Sequence, residues 1–529
     1  MSKTENCPSP IVLAILDGWG LSSPNKGNAV TLAKTPVIDA LTKDYPFTTL
    51  QSYGTSVGLP GKQDGNSEAG HMNLGAGRIV EQDSVEIGQT ITTSIFFKNP
   101  ALLGAISHVK EHGSDLHLMG LLSEQQSAHM DPDHLLALIT LLRVMKVKRV
   151  YWHFFTDGRD SPKFIAAKLL KRWEATLEPN EQIASIMGRY YAMDRGKNWQ
   201  RTEKAYNALV LGEGYSFSNA HEAVIRAYNR EENDEFISPS LIIQNDAKSN
   251  SAKGRNKPRV LIKDDDAIIF FNLRSDRARQ ISKCFVQSDF NKKNPKAFRR
   301  KKILKNLFFV AMTDFGPDLG NLLTAFPARD LLGTLPMAMN GYRQLYIAES
   351  EKYAHVTYFF NGGYPDPVNK EDRIIIQSPS VRSYDERPEM SASKLTGAVI
   401  DNLKNKVYNF ITLNYANPDM IGHTGNLRAG VKACEVVDKC VGILYQEIKR
   451  QNGILIVTAD HGNVEEMINL KTGEIDTKHS TNPVPFILVG DKLKNKKLAS
   501  SGVLADVAPT ILKLAGLEKP KEMTRSGLL

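Results

Sequence analysis

Cysteine is scarce in this chain. Its 529 residues hold four, Cys7, Cys284, Cys434 and Cys440, and none forms a CxxC pair. A chain this long does not depend on disulfide staples, so the four read as reduced thiols. Without thiolate clusters, a structural zinc site is disfavoured. Long apolar runs are missing as well. The N-terminal run "IVLAIL" at 11–16 stops at Asp17, too short for a signal segment and of the right length for a strand. No run approaches membrane-spanning length. The expectation is a cytoplasmic protein with no membrane partner. No periodic repeat is found.

The length exceeds what one hydrophobic core normally serves, which predicts two domains. Hydrophobic residues make up 41% and charged residues 24%, so nothing in the composition argues against a globular fold. The net charge of +9 is partly local: "NKKNPKAFRRKKILKN" at 291–306 holds eight Lys or Arg and no acid. Such a run reads either as a solvated face or as a nucleic-acid contact. Only Phe298 is interleaved with it, and nucleic acid is the less favoured partner.

Three outer segments share one pattern. "IVLAILDGWG" at 11–20, "YNFITLNYANPDMIGH" at 408–423 and "GILIVTADHGN" at 453–463 are apolar runs that end in Asp or His. Short continuous apolar runs predict strands buried on both faces of a parallel sheet. Between the last two, Val431, Cys434, Val437, Asp438, Val441 and Leu444 recur near helical spacing, giving strand–helix–strand. In open α/β sheets ligands sit at the carboxyl ends of strands. Bringing all three ends together places the first and last parts of the chain in one domain and the middle in an insertion. "DLHLMGLLS" at 115–123, "RVYWHFFTDGRD" at 149–160 and "DDDAIIFFNLRSDRARQ" at 264–280 read as strands of that insertion. The polar stretch at 245–257 reads as a loop tip.

The outer segments carry Asp17, Asp419, His423, Asp460, His461 and His479 at strand ends or in adjacent loops. Asp with His suits divalent ions such as Mn²⁺, Mg²⁺ or Zn²⁺. Six donors are too many for one open site and fit two ions, which can clamp a phosphoryl group. Ser67, in "DGNSEAGHMNLGAG", lacks the G-x-S-x-G elbow. Spacing leaves it open between a turn residue and a metal-activated nucleophile at the start of a helix. Arg159, Asp160, Arg189, Arg195, Arg274 and Arg277 cluster at strand-to-loop junctions of the middle segment. They are either surface ion pairs or an anion site.

The motifs "LDGWG", "DGNSEAGHMNLGAGR", "DGRDSP", "GRYYAMDR", "FFNLRSDRARQ", "AESEKYAHVTYFFNGG", "NYANPDMIGHTG", "TADHGN" and "HSTNPVP" span residues 16–486 in order. In these the chain closely resembles the cofactor-independent phosphoglycerate mutase family of the alkaline-phosphatase superfamily. The resemblance implies an α/β fold: an alkaline-phosphatase-like three-layer domain at 1–81 and 327–529, with a substrate-binding α/β domain inserted at 82–326. It implies interconversion of 3-phosphoglycerate and 2-phosphoglycerate through a phosphoserine, with two divalent ions, foremost Mn²⁺ with Mg²⁺, Co²⁺ and Zn²⁺ as alternatives. Carried over by motif, one metal site comprises Asp419, His423 and His479, the other Asp17, Ser67, Asp460 and His461. Substrate contacts are Arg159, Asp160, Arg189, Arg195, Arg274, Arg277 and Lys352. The family's Gly-Gly-Val-His-Ser-His stretch is replaced here by "EQQSAHMDPDH", in which His129 corresponds to the substrate-side histidine. The resemblance further implies a monomer whose domains close to exclude water. A metal-dependent phosphohydrolase is the neighbouring reading; it would share the metal donors but not the middle arginine motifs.

Overall fold

A computed structural model describes residues 10–61, 63–124, 127–243, 260–316, 318–320, 322–327 and 331–529. Cys7, Gln125, Gln126 and the polar stretch at 245–257 lie outside the described residues. The chain divides into two units, Met1–Gln82 with Arg329–Leu529, and Asp83–Ala328. Each is an α/β unit built on one eight-stranded sheet, so one α/β unit is inserted in another.

In the first unit Ile11–Leu16 runs parallel between Phe410–Tyr415 and Ile454–Thr458. Ile11 stands opposite both Phe410 and Ile454. Parallel Gln344–Glu349 and Glu371–Ile376 extend the sheet on the Phe410–Tyr415 side. Val484–Val489 and Phe47–Gln51 continue it on the other side through antiparallel pairs. The three central strands are buried at every residue, as continuous apolar runs require when both faces are covered. They deliver Asp17, Asn414 and Asp460 to the same edge.

The helix Leu427–Arg450 makes the crossover. It starts where Asn426 accepts the Ala429 N–H, and it buries Ala433, Cys434, Val437, Val441, Leu444 and Ile448, an i, i+4 stripe against the sheet. Asp438 lies in that stripe for a reason the periodicity does not reveal. Its carboxylate accepts the Val37 and Ile38 N–H groups at 3.3 and 2.8 Å, capping the helix Pro36–Asp44 from a neighbouring element.

The inserted unit has Leu116–Leu122 parallel to Val150–Thr156 and to Ala267–Phe270. Glu181–Gly188 follows parallel to Val150–Thr156. Trp152, Phe154, Phe155 and Phe270 fill its core. A polar chain crosses it: Ser185 Oγ lies 2.8 Å from His153 Nδ1, His153 Nε2 lies 2.9 Å from His117 Nδ1, and His117 Nε2 lies 3.1 Å from Asp266. The chain ties together the four strands whose carboxyl ends carry the residues described next. Among the described residues no helix is long and apolar enough to cross a membrane, and Cys284, Cys434 and Cys440 are free and buried.

Candidate active site

Ser67 opens the helix Ser67–Ala76. Asn66 caps it by accepting the Ala69 N–H at 2.9 Å, so "DGNS" is a helix start and not a surface turn. Gly70 lets the helix lie against the strand-end loop: a Cβ there would sit 2.6 Å from the Asp460 carbonyl oxygen. Ser67 is buried, with Oγ 2.9 Å from His461 Nε2, 3.3 Å from Asp17 Oδ1 and 2.7 Å from Lys352 Nζ. Lys352 also donates to Asp17 at 2.7 Å and to Asp419 at 2.6 Å.

Asp17, Asp419 and Asp460 are all buried. Three carboxylates facing one ammonium leave an excess of negative charge out of water, which is costly unless cations share the site. Burial, then the Asp460 charge, pushes Asp17 up. Burial alone would lift Asp419 too, but Lys352 and then His423 hold it well below the usual carboxylate range. Burial works against the Lys352 charge, yet Asp17 and Asp419 outweigh it and hold the ammonium firmly protonated.

The histidines are aimed in the same way. His423 Nδ1 lies 2.8 Å from the Thr477 carbonyl, His479 Nδ1 2.7 Å from that of Gly65, and His461 Nδ1 3.2 Å from that of Gly462. A ring nitrogen facing a carbonyl carries a proton, which turns each Nε2 inward. The Nε2 atoms of His423 and His479 are 3.0 Å apart, and each is 3.3 Å from Asp419 Oδ1. Two imidazole nitrogens facing each other at that distance, beside a carboxylate, are placed to share one cation, a proton or a metal ion. Asp460 Oδ2, buried without a well-aligned hydrogen bond, is a further open donor. Three groups have donor atoms close enough to hold an ion: Asp419, His423 and His479; Asp17, Asp419 and His461; Asp17, His71 and Asp460.

His71 was not singled out by sequence reasoning, although it stands inside the quoted motif. Its Nδ1 is 2.9 Å from the Ser67 carbonyl and 3.2 Å from Asp460 Oδ2, and its Nε2 faces the Asn414 amide at 3.0 Å. Asn414 also donates to Asp17 at 2.6 Å. Glu465 was missed too. Fully buried, it accepts the N–H groups of Gly20 and Asn463 and the hydroxyl of Ser480, joining the three loops that carry Asp17, His461 and His479.

In the inserted unit the strand ends bring the other expected residues together. Arg189 is almost fully buried and its Nη1 donates to Asp157 at 2.5 Å and Asp160 at 2.8 Å. Arg195 donates to Asp276 at 2.7 Å, and Arg274 lies 3.8 Å from the same residue. Arg159 is half exposed, 3.6 Å from Glu235. Burial and the charges of Arg189, Arg195 and Arg159 push Arg277 down to about 10. Mutual repulsion among arginines is the mark of a site built for an anion. His129 is buried with Nδ1 unpartnered. Burial and the Arg189 and Arg274 charges push it down to about 3, so it is neutral in ordinary conditions.

The basic run at 291–306 is partly structural. Arg300 donates to the carbonyls of Cys284, Gln287 and Ser288 at the end of the helix Ser275–Val286, and Lys301 pairs with Glu213 at 2.7 Å.

Asp/His donor clusters at the strand ends of the first unit's sheet are those of a metalloenzyme, and a model of the metalloenzyme superfamily matches residues 9–519. Proteins named 2,3-bisphosphoglycerate-independent phosphoglycerate mutase from Clostridioides difficile (strain 630) and, as the form numbered 2, from Methanosarcina barkeri are each 46% identical to this chain. The matches cover 98% of this chain and 99% and 98% of theirs. The crystal structure of Leishmania mexicana phosphoglycerate mutase at low cobalt concentration superposes with a TM-score of 0.79 at 30% identity, covering 100% of this chain and 99% of that one. The chain belongs to the 2,3-bisphosphoglycerate-independent phosphoglycerate mutase family. Membership and the donor clusters together support dependence on a divalent metal.

Proposed function

We propose that this protein interconverts 3-phosphoglycerate and 2-phosphoglycerate in glycolysis and gluconeogenesis, without added 2,3-bisphosphoglycerate and through a phosphoserine at Ser67. The observation that carries the reading is a buried serine at a helix N-terminus, within hydrogen-bond reach of Lys352, His461 and Asp17, with Asp419 and Asp460 against the same lysine and histidine. We assign Asp419, His423 and His479 to one metal ion and Asp17, Ser67, Asp460 and His461 to the other. Mixed oxygen and imidazole donors suit Mn²⁺, with Mg²⁺, Co²⁺ and Zn²⁺ as alternatives. Bound metal supplies Lewis-acid stabilisation of phosphoryl charge and lowers the pKa of a coordinated oxygen.

The chain's own residues do the rest. Ser67 Oγ attacks phosphorus in line, the bond from phosphorus to the glycerate oxygen breaks, and that oxygen takes up a proton. The hydroxyl proton of Ser67 has Asp17 Oδ1 as an acceptor at 3.3 Å. Lys352 and the positive end of the helix Ser67–Ala76 offset phosphoryl charge. Arg274 and Arg277 hold the glycerate carboxylate, with Arg159, Arg189 and Arg195 adding positive charge. Neutral His129 accepts from a glycerate hydroxyl, and Asp160 binds or relays its proton. The glycerate then turns and its other hydroxyl takes the phosphoryl group from Ser67. We place the enzyme in the cytoplasm as a monomer acting on a small molecule, with no nucleic-acid or membrane partner; free, buried Cys284, Cys434 and Cys440 fit a reducing compartment.

Reconstitution with Mn²⁺, Mg²⁺, Co²⁺ or Zn²⁺ and assay with 3-phosphoglycerate, recording 2-phosphoglycerate and free phosphate side by side, tests the reading. Formation of 2-phosphoglycerate with little phosphate supports it. Phosphate alone would instead make the protein a phosphohydrolase.

A further inference from the structure

Asp157 takes no part in the assignments above, yet it is the most heavily bonded carboxylate of the inserted unit's site. It is buried, 1% exposed. Its Oδ1 accepts from Arg189 Nη1 at 2.5 Å and from the N–H groups of Arg159 and Asp160 at 3.3 and 3.1 Å. Its Oδ2 accepts from the hydroxyls of Ser123 at 2.5 Å and Ser161 at 2.9 Å. The two hydroxyls also lie 2.6 Å from each other and share a proton, so the donors match the roughly four lone-pair sites of the carboxylate, and the group is saturated and offers nothing to a ligand. What it does instead is fix its neighbours. It takes up one nitrogen of Arg189, whose Nε is buried without a partner. It also sets the turn that carries Arg159 and Asp160, and it reaches back through Ser123 to the end of the strand Leu116–Leu122.

We propose that Asp157 is a positioning residue that orients Arg189 and the 157–160 turn and thereby sets how firmly the enzyme holds glycerate. This rests on the mutase reading. If glycerate is held poorly while Ser67 carries the phosphoryl group, water takes its place: its oxygen adds to phosphorus, the bond to Ser67 Oγ breaks, and free phosphate and free Ser67 result. Retention is therefore visible as the ratio of phosphate to 2-phosphoglycerate produced.

Asp157→Asn separates position from charge. The three donors on Oδ1 keep an oxygen there, and the new amide faces two hydroxyls that can turn to accept, so the turn can form. The charge-assisted bonds, about twice as strong as neutral ones, are lost. If Asp157 acted only through charge, removing an anion beside an anion site would lower KM. As a positioning residue its loss raises KM for 3-phosphoglycerate by roughly tenfold or more, and raises the phosphate to 2-phosphoglycerate ratio by a similar factor. Metal affinity stays unchanged. The test is steady-state kinetics of metal-loaded wild type and variant with both products measured, on protein shown to be folded by its melting curve. Ser161→Ala, which removes one donor, shifts both readouts the same way by less and serves if Asp157→Asn does not fold. An unchanged or lower KM, or an unchanged ratio, overturns the proposal. A wild type that makes no 2-phosphoglycerate overturns the mutase reading instead, which the wild-type arm shows by itself.

Discussion

Replacing Lys352 by Met exposes the charge balance on which the candidate centre depends. Lys352 is 4% exposed and its ammonium lies 2.6–2.7 Å from Asp17, Asp419 and Ser67. Met keeps the length and removes the charge. Breaking a buried ion pair from one side costs about 3–5 kcal/mol, because the partner charges stay buried. For a unit of this size, 1 kcal/mol corresponds to roughly 2–4 °C, so the variant in chelator should melt about 10 °C below wild type. Divalent metal should restore much of the loss, since a ligand at a thousandfold above its Kd stabilises by about 4 kcal/mol. Turnover should stay low, because the cation proposed to offset phosphoryl charge is gone. Melting curves in chelator and across a Mn²⁺ titration read both arms. If Lys352→Met melts with wild type in chelator, or gains nothing from metal, the picture of an anionic cluster completed by cations is wrong.

Three other outcomes are expected. Burial pushes Glu349 up to about 7, above its unfolded value, so its favourable contribution is complete at low pH and is lost as pH rises through 7. Glu349→Gln should therefore be more stable than wild type at pH 8 by up to about 3 kcal/mol, with no gain near pH 4.5; equal denaturation midpoints at pH 8 would contradict this. Gly70→Ala would ordinarily favour a helix by about 1 kcal/mol. Here its Cβ would meet Asp460 at 2.6–2.8 Å, and overpacking should win by about 1–3 kcal/mol, with weaker metal binding by titration; a more stable variant would refute the close approach. The proposed ligation of a metal by His423 and His479 requires both rings neutral, so with metal at fixed concentration turnover should fall between pH 8 and pH 5.5. A flat profile there would count against histidine ligation.

The sheet was legible where physics is local. Ile11–Leu16 is wholly apolar, Phe410–Tyr415 and Ile454–Thr458 are mostly so, and all three lead within a few residues into the polar loops that carry Asp17, Asp419 and Asp460. The stripe on Leu427–Arg450 announced the crossover in the same way. Ser67 was different: its glycine-rich surroundings fit a turn as well as a helix start, and only its match to a known motif separated the two. Supporting residues were the least legible. His71, Asn414, Glu465 and Asp157 act through partners that the fold brings in from other strands and loops, and nothing in their own neighbours announces a role. Asp438 shows the same limit, since an Asp in an apolar stripe looks like an interruption until the helix it caps is in place. Arg300, one of eight cations in a run, closes a helix end that the run itself does not reveal.

The central claim is that Ser67 carries the phosphoryl group. Acid quenching during turnover of the metal-loaded enzyme with 3-phosphoglycerate, followed by mass analysis of the peptide containing Ser67, tests it most directly. The account predicts a phosphoryl group on Ser67 in wild type and loss of both the label and mutase turnover in Ser67→Ala. A Ser67→Ala enzyme that still interconverts the two phosphoglycerates at a near-native rate would contradict it.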